Sequence, residues 1–149
     1  MYLEIDFNSD EAFYVQLYHQ IIIGIATSRL QEGDTLPSVR QLADEVGINM
    51  HTVNKAYSLL KQEGYIRLDR RYGAVIAVDA DKLKAMEDMK QGLLVLLAKG
   101  SCKNITREEV HQLIDEIYEE YGAQGGDICR SIRMRHRPRS DRQREYQDR

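Results

Sequence analysis

His51, Asn54, Lys55 and Ser58 recur at three- and four-residue spacing, with Asn49, Met50 and Thr52 just ahead of them. Residues so spaced share one side of a helix. The set holds donors, acceptors and a cation, suited to reading hydrogen-bonding edges and meeting an anion rather than to breaking bonds. Ser38 and Arg40 stand upstream, and Arg70 and Arg71 lie downstream beside Gly73. Covalent chemistry would need a nucleophile next to a base, a metal-ligand cluster or a glycine-rich phosphate loop. None of these is legible. Cys102 and Cys129 lie 27 residues apart with no Cys or His at ligand spacing, and read as reduced thiols. The carboxylates Glu108, Glu109, Asp115, Glu116, Glu119 and Glu120 fall on the solvated face of a helix. His19 is expected to be packed or half-exposed among tyrosines, and His111 to lie on the surface. No enzyme activity, metal or cofactor is expected.

The elements that must carry these residues can be read from periodicity. Asn8, Ser9 and Asp10 are expected to cap a helix from about 11 to 30, with Phe13, Leu17, Ile21 and Ile25 as its apolar stripe and Tyr14, Tyr18 and Ile22 beside them. The stretch 31–34 stops it, and Thr35-Leu36 is extended ahead of Pro37. Ser38 and Gln41 have capping-box spacing and open a helix to Val46 that buries Val39, Leu42, Ala43 and Val46. Gly47 ends it. Asn49 caps a third helix to about 63, with Val53, Ala56, Tyr57 and Leu60 inward, and Gly64 stops it. The apolar runs 65–68 and 75–78, separated by the basic stretch 69–74, predict a hairpin. A further helix spans 81–98, with Leu93–Leu97 apolar on every side. Thr106, with Glu109 in the capping-box position, opens the last helix, whose stripe is Val110, Leu113, Ile114, Ile117, Tyr118 and Tyr121.

The fold class expected is mainly α with a small β-hairpin wing: a winged helix-turn-helix followed by a two-helix element. In such an arrangement the first helix of the pair crosses a sugar–phosphate backbone and the second lays its N-terminal turns in the major groove. Bulk properties restrict the rest. The 149 residues suffice for one domain plus an appendage. No apolar run is long enough to span a membrane. The start, MYLEIDFNSD, lacks the layout of a secretion signal, so a cytoplasmic protein is expected. Net charge is −3, yet residues 130–149 hold eight arginines against three carboxylates, or +5, leaving −8 on residues 1–129. Any polyanion contact in the body must therefore come from a local basic face.

The marks Gly33-Asp34, Leu36-Pro37-Ser38-Val39-Arg40, Leu42-Ala43, Thr52-Val53, Lys55-Ala56-Tyr57, Leu60 and Gly64-Tyr65-Ile66, after a tyrosine-rich first helix, resemble the DNA-binding domain of the GntR family. The resemblance covers about residues 10–78. It implies that Ser38 and Arg40 hold phosphate, or for Arg40 a guanine edge. It also implies that Asn49, His51 and Thr52 open the recognition helix, with Asn54 a turn further on; on the helix face alone, Met50 lies among them and Lys55 can meet a phosphate. Gly73 would then mark the wing tip, with Arg70 and Arg71 directed to the adjacent minor groove or its phosphates. Three features depart from the family pattern. Met50 stands where relatives often carry Arg or Pro, Asn54 replaces a common Arg, and the wing lacks Gly-x-Gly. Fewer arginines shift the expected readout toward adenine and thymine.

The chain beyond the wing is too short for the larger ligand-binding domains of other GntR subfamilies and resembles the short-tailed, YtrA-like group. The division expected is 1–78 for DNA binding, 79–122 for dimerisation and 123–149 as a basic, disordered tail. Leu93, Leu94, Leu97, Val110, Leu113, Ile114 and Ile117 are the expected dimer contacts, because two helices of this length cannot enclose a core alone. The partners expected are double-stranded operator DNA and a second copy of the chain. No effector is legible, and control of a neighbouring transporter operon is implied by the resemblance alone. The tail reads either as a phosphate-gripping arm or as an end foreign to the rest of the protein. A competing reading is a winged-helix adaptor that binds protein and not DNA, which the acidic body favours and the arginine-bearing wing opposes.

Overall fold

The computed structural model describes residues 3–122. The order is α1 (Phe13–Ala26), α2 (Val39–Val46), α3 (Met50–Gln62), β1 (Ile66–Asp69), β2 (Gly73–Ile76), α4 (Lys82–Cys102) and α5 (Arg107–Gly122). One compact unit ends at Val78 and a second begins at Asp79. The first unit is a winged helix-turn-helix, as its sequence pattern predicts.

Its core is assembled on α3, whose Val53, Ala56, Tyr57 and Leu60 are all buried. Leu17 and Ile21 of α1 and Leu42 and Ala43 of α2 close over them, and Ile66, Ala74 and Ile76 of the hairpin seal one side. Val39 and Val46 are only partly buried at the margin. Each fully enclosed Leu or Ile contributes about 1.5–3 kcal/mol of transfer free energy.

α1 is shorter than its apolar stripe predicts, at both ends. Asp6 and Ser9 close local turns instead of capping: the Asn8 N–H donates to Asp6 Oδ1 (2.9 Å) and the Glu11 N–H to Ser9 Oγ (3.1 Å). The capping position falls to Ala12, which offers no side-chain bond. At the other end Ser28 takes φ 60° and the Leu30 N–H returns to the Gly24 carbonyl at 2.9 Å. Leu30 is buried directly on Gly24, where an added Cβ would come within 3.1 Å of Leu30 Cδ1. Enclosing that leucine ends the helix early.

An extended arm precedes α1 and supplies the buried Ile5. Gln16 pairs with Asp6 as one peptide group pairs with another: Oε1 accepts from the Asp6 N–H (2.9 Å) and Nε2 donates to the Asp6 carbonyl (3.1 Å). Gln20 treats Glu4 the same way, at 3.1 and 2.7 Å. Four residues of helix rise about 6 Å, and two residues of strand advance about 6.6 Å. The spacings match, so a helix face acts as a strand edge. Gln16 also donates to the Glu11 carbonyl (3.0 Å) and is 7 % exposed. Gln16→Ala is expected to lower unfolding free energy by about 2 kcal/mol, read as a lower urea midpoint with an unchanged slope.

The hairpin strands lie at 66–69 and 73–76, not at 65–68 and 75–78. Their register pairs Ile66 with Ile76, Arg67 with Val75, Leu68 with Ala74 and Asp69 with Gly73. Residues 33–36 bond to the other edge of β2, with Gly33 N to Ile76 O at 2.9 Å, Ile76 N to Asp34 O at 2.8 Å and Leu36 N to Ala74 O at 2.8 Å. Being paired on both edges holds β2 in this register.

In the second unit α4 runs to Cys102, four residues beyond its expected end. The chain then reverses through Asn104 (φ 62°), with the Ile105 N–H returning to the Gly100 carbonyl. Thr106 and Glu109 form a reciprocal capping box: the Thr106 N–H donates to Glu109 Oε2 (2.7 Å) and the Glu109 N–H to Thr106 Oγ1 (3.2 Å). No residue of α4 or α5 is buried. Among the described residues, no helix is long and apolar enough to cross a membrane.

Candidate nucleic-acid interface

Ser38 caps α2 by accepting the Gln41 N–H at 3.1 Å, which leaves its hydroxyl proton free to donate. Gly47 ends the helix at φ 74°, a left-handed conformation that a Cβ would strain. Asn49 then caps α3 by accepting the His51 N–H at 2.8 Å. The angle between the two helices is fixed by Tyr57, whose hydroxyl donates to the Pro37 carbonyl at 2.7 Å. Burial, and after it the charge of Glu45, pushes the Tyr57 hydroxyl well above its ordinary range, so it stays a donor. On the far side the Tyr18 hydroxyl of α1 donates to Glu63 just past the end of α3. Burial first, and then this bond, raises its pKa too.

Held on two flanks, α3 presents Met50, His51, Asn54, Lys55 and Ser58 as exposed side chains. Thr52 is half-buried and the least open of the set. Lys55 does not stand free, because its Nζ lies 4.0 Å from the centroid of the Tyr14 ring on α1. A cation over an aromatic face is attracted by its quadrupole, which steadies Lys55 at the α1 side of the exposed surface. Asn49 has one amide oxygen committed to its cap and an NH₂ group still available.

The first turns of α1 to α4 contain no acidic residue, and that of α5 has two. Arg40 even lies in the first turn of α2, where the partial positive charge of the helix end disfavours it. It is exposed and forms no ion pair among the described residues. In a body with net charge −8, Arg40, with no ion pair among the described residues, and the Ser38 hydroxyl leave room for an anion.

The wing adds a second cationic point. Arg70 and Arg71 are exposed at the tip and Gly73 comes after them with φ 74°. Asp69 organises that tip, accepting the Arg71 N–H at 2.7 Å and the Tyr72 N–H at 3.1 Å on one oxygen. These two bonds hold its carboxyl below the usual carboxylate range.

Comparison with known proteins decides the lineage. Residues 13–76 match the profile of "Bacterial regulatory proteins, gntR family". The HTH-type transcriptional repressor YtrA of Bacillus subtilis is 32 % identical over 118 residues, 77 % of this chain and 91 % of that protein. The chain belongs to the GntR family. Its likeness to YtrA over nearly the full length of that repressor puts it with the short-tailed, YtrA-like members. A solved transcriptional antiterminator from Listeria monocytogenes superposes with TM-score 0.72 at 30 % identity, covering 86 % of this chain and 96 % of its own. A GntR family transcriptional regulator from the same species gives TM-score 0.56 at 26 % identity, covering 75 % and 98 %. Relatives and fold alike are those of transcription regulators and not of enzymes. This GntR protein is a DNA-binding helix-turn-helix regulator.

Three features of the GntR site escaped the sequence pattern. Lys55 is tied to Tyr14, Tyr57 spans two elements through its hydroxyl, and Asp69 sets the wing tip. The aspartate had a local signal, since Asx side chains two residues before a turn N–H commonly bond to it. The other two depend on tertiary packing. Cys129 and the arginine-rich stretch 123–149 lie outside the described residues. Among the described residues no group of His, Cys, Asp or Glu is arranged to hold a metal.

Proposed function

We propose that this chain is a cytoplasmic homodimeric repressor that binds an inverted-repeat operator through residues 1–78 and pairs through residues 79–122. The observation that carries the DNA contact is the exposed polar side of α3, with the exposed Arg40 of α2 ahead of it in the chain. Ser38, Arg40 and Lys55 meet phosphates, or in the case of Arg40 a guanine edge, and Asn49 opens the recognition helix. Met50, His51, Thr52 and Asn54 face bases, and Arg70, Arg71 and the Gly73 backbone reach the adjacent minor groove. With Asn54 and Met50 in place of arginines, readout leans toward adenine and the thymine methyl.

Pairing is supported by α4 and α5. Leu93, Leu97, Ile114 and Ile117 keep between 36 and 40 % of their surface exposed, and Leu94 and Leu113 more. Val110 is half-buried on the same stripe of α5. Apolar helices with no buried residue are covered most simply by a two-fold copy. Repression rather than activation is inferred from the name of the B. subtilis relative, and control of a transporter operon from the likeness to short-tailed members.

Selection from random-sequence duplexes, then footprinting, tests the proposal. The expected result is an A·T-weighted inverted repeat whose half-sites lie about one helical turn apart, roughly 34–36 Å. A consensus built purely of G·C pairs removes the adenine and thymine readout. Failure to select any duplex overturns operator binding and favours the adaptor reading.

A further inference from the structure

A large ring stands alone at the tip of the hairpin. Tyr72 keeps 63 % of its surface exposed, and among the described residues its side chain makes no hydrogen bond or ring contact. An exposed tyrosine is ordinary in itself. This one sits on a stiff mount between two arginines and a left-handed glycine. Its own N–H and that of Arg71 are both bound by Asp69 Oδ1, and the Asp69–Gly73 pair closes the ladder directly beneath. The carboxylate keeps its charge at physiological pH, since those bonds lower its pKa. Further down, β2 is bonded to the Leu36 N–H, two residues before the cap of α2. The tip is thus fixed relative to the helix pair rather than swinging on a loop.

We propose that Tyr72 is a minor-groove wedge that inserts beside Arg70 and Arg71 into the flank of each half-site and selects base steps that unstack easily. The proposal rests on the DNA-binding reading above and deepens it. The two guanidinium groups draw the phosphate-lined groove onto the tip. The ring, carried next to them in the chain, meets the sugar and base edges and leans between adjacent pairs. Unstacking a step costs a few kcal/mol, and TA and CA/TG steps yield most readily while A-tracts resist. The wing thereby reads sequence without a hydrogen bond to any base. The hydroxyl has no required part, because wedging uses the ring face and edge.

The test uses the full chain and a duplex obtained by selection with that chain, carrying 2-aminopurine at successive flank positions. The parent is expected to raise 2-aminopurine fluorescence at one step outside each half-site. Tyr72→Ala should bind about tenfold more weakly without that rise, and Tyr72→Phe should keep both. Replacing the flanking step by an A-tract should cost the parent affinity relative to Tyr72→Ala, which keeps the two arginines but has no ring to insert. All three proteins should share one melting temperature, since the ring packs on nothing in the described fold. Parent-like affinity together with a parent-like fluorescence rise in Tyr72→Ala overturns the wedge while operator binding stands. If the parent selects no duplex, both fall together.

Discussion

Arg40→Ala combined with Thr52→Ala is expected to abolish sequence-selective binding while leaving the fold intact. Arg40 is exposed at the start of α2 with no ion pair among the described residues, and Thr52 lies in the first turn of α3 outside the buried core cluster. Together the two contacts are worth about 3 kcal/mol per half-site, and a two-fold pair makes them twice. The loss is then roughly ten-thousand-fold in Kd. Fluorescence anisotropy with the selected operator and a scrambled duplex measures it, with circular dichroism checking the fold. Arg40→Ala alone separates the two roles of that residue. Loss of a phosphate contact should reduce the salt slope by about 2 per dimer, one counterion contact from each protomer. Loss of a guanine contact should relax specificity at one base pair and leave the slope nearly unchanged. A double variant that holds its operator as tightly as the parent removes Arg40 and Thr52 from the interface.

Breaking the dimer should have an effect as large, through geometry rather than contact. In Leu97→Glu combined with Ile117→Glu, two of the less exposed apolar side chains of the second unit become charged. Sedimentation at low micromolar concentration should show a monomer where the parent sediments as a dimer. The residues concerned lie outside the unit that ends at Val78, so the winged helix should melt as before. Operator affinity should fall about 100- to 10,000-fold, because a second half-site held in place converts its binding into an intramolecular step. A half-site duplex should be bound equally by parent and variant. A parent that is already monomeric under these conditions rules out the pairing.

The helices and their inward faces were legible because period and punctuation agreed. The stripe Val53, Ala56, Tyr57 and Leu60, the Ser38 and Asn49 caps and the left-handed Gly47 are all local signals, and all appear as the pattern requires. The Thr106–Glu109 box is a further case. Where several residues compete for one terminus, the local signal failed. Asn8, Ser9 and Asp10 are each good caps, but Asp6 and Ser9 found nearer N–H groups, and Leu30 ended α1 early by packing on Gly24. The arm was hidden for a different reason. Leu3-Glu4-Ile5-Asp6-Phe7 alternates as a strand does, yet its partners are two glutamine side chains, and nothing in a sequence marks a helix face as a strand edge. At the interface, identities and spacing identified the exposed set on α3. They could not reveal that Lys55 leans on Tyr14, because that pairing depends on how α1 crosses α3.

The split character of α3 bears on how such regulators diversify. One side is locked by Val53, Ala56, Tyr57 and Leu60, none more than 5 % exposed, and by a hydroxyl anchored to Pro37. The other carries Met50, His51, Asn54 and Ser58 with almost no structural duty. Changes among those four can rewrite the preferred site while the chain pays little in folding, so a duplicated copy is free to drift onto a new promoter in single steps, each of them still a working protein.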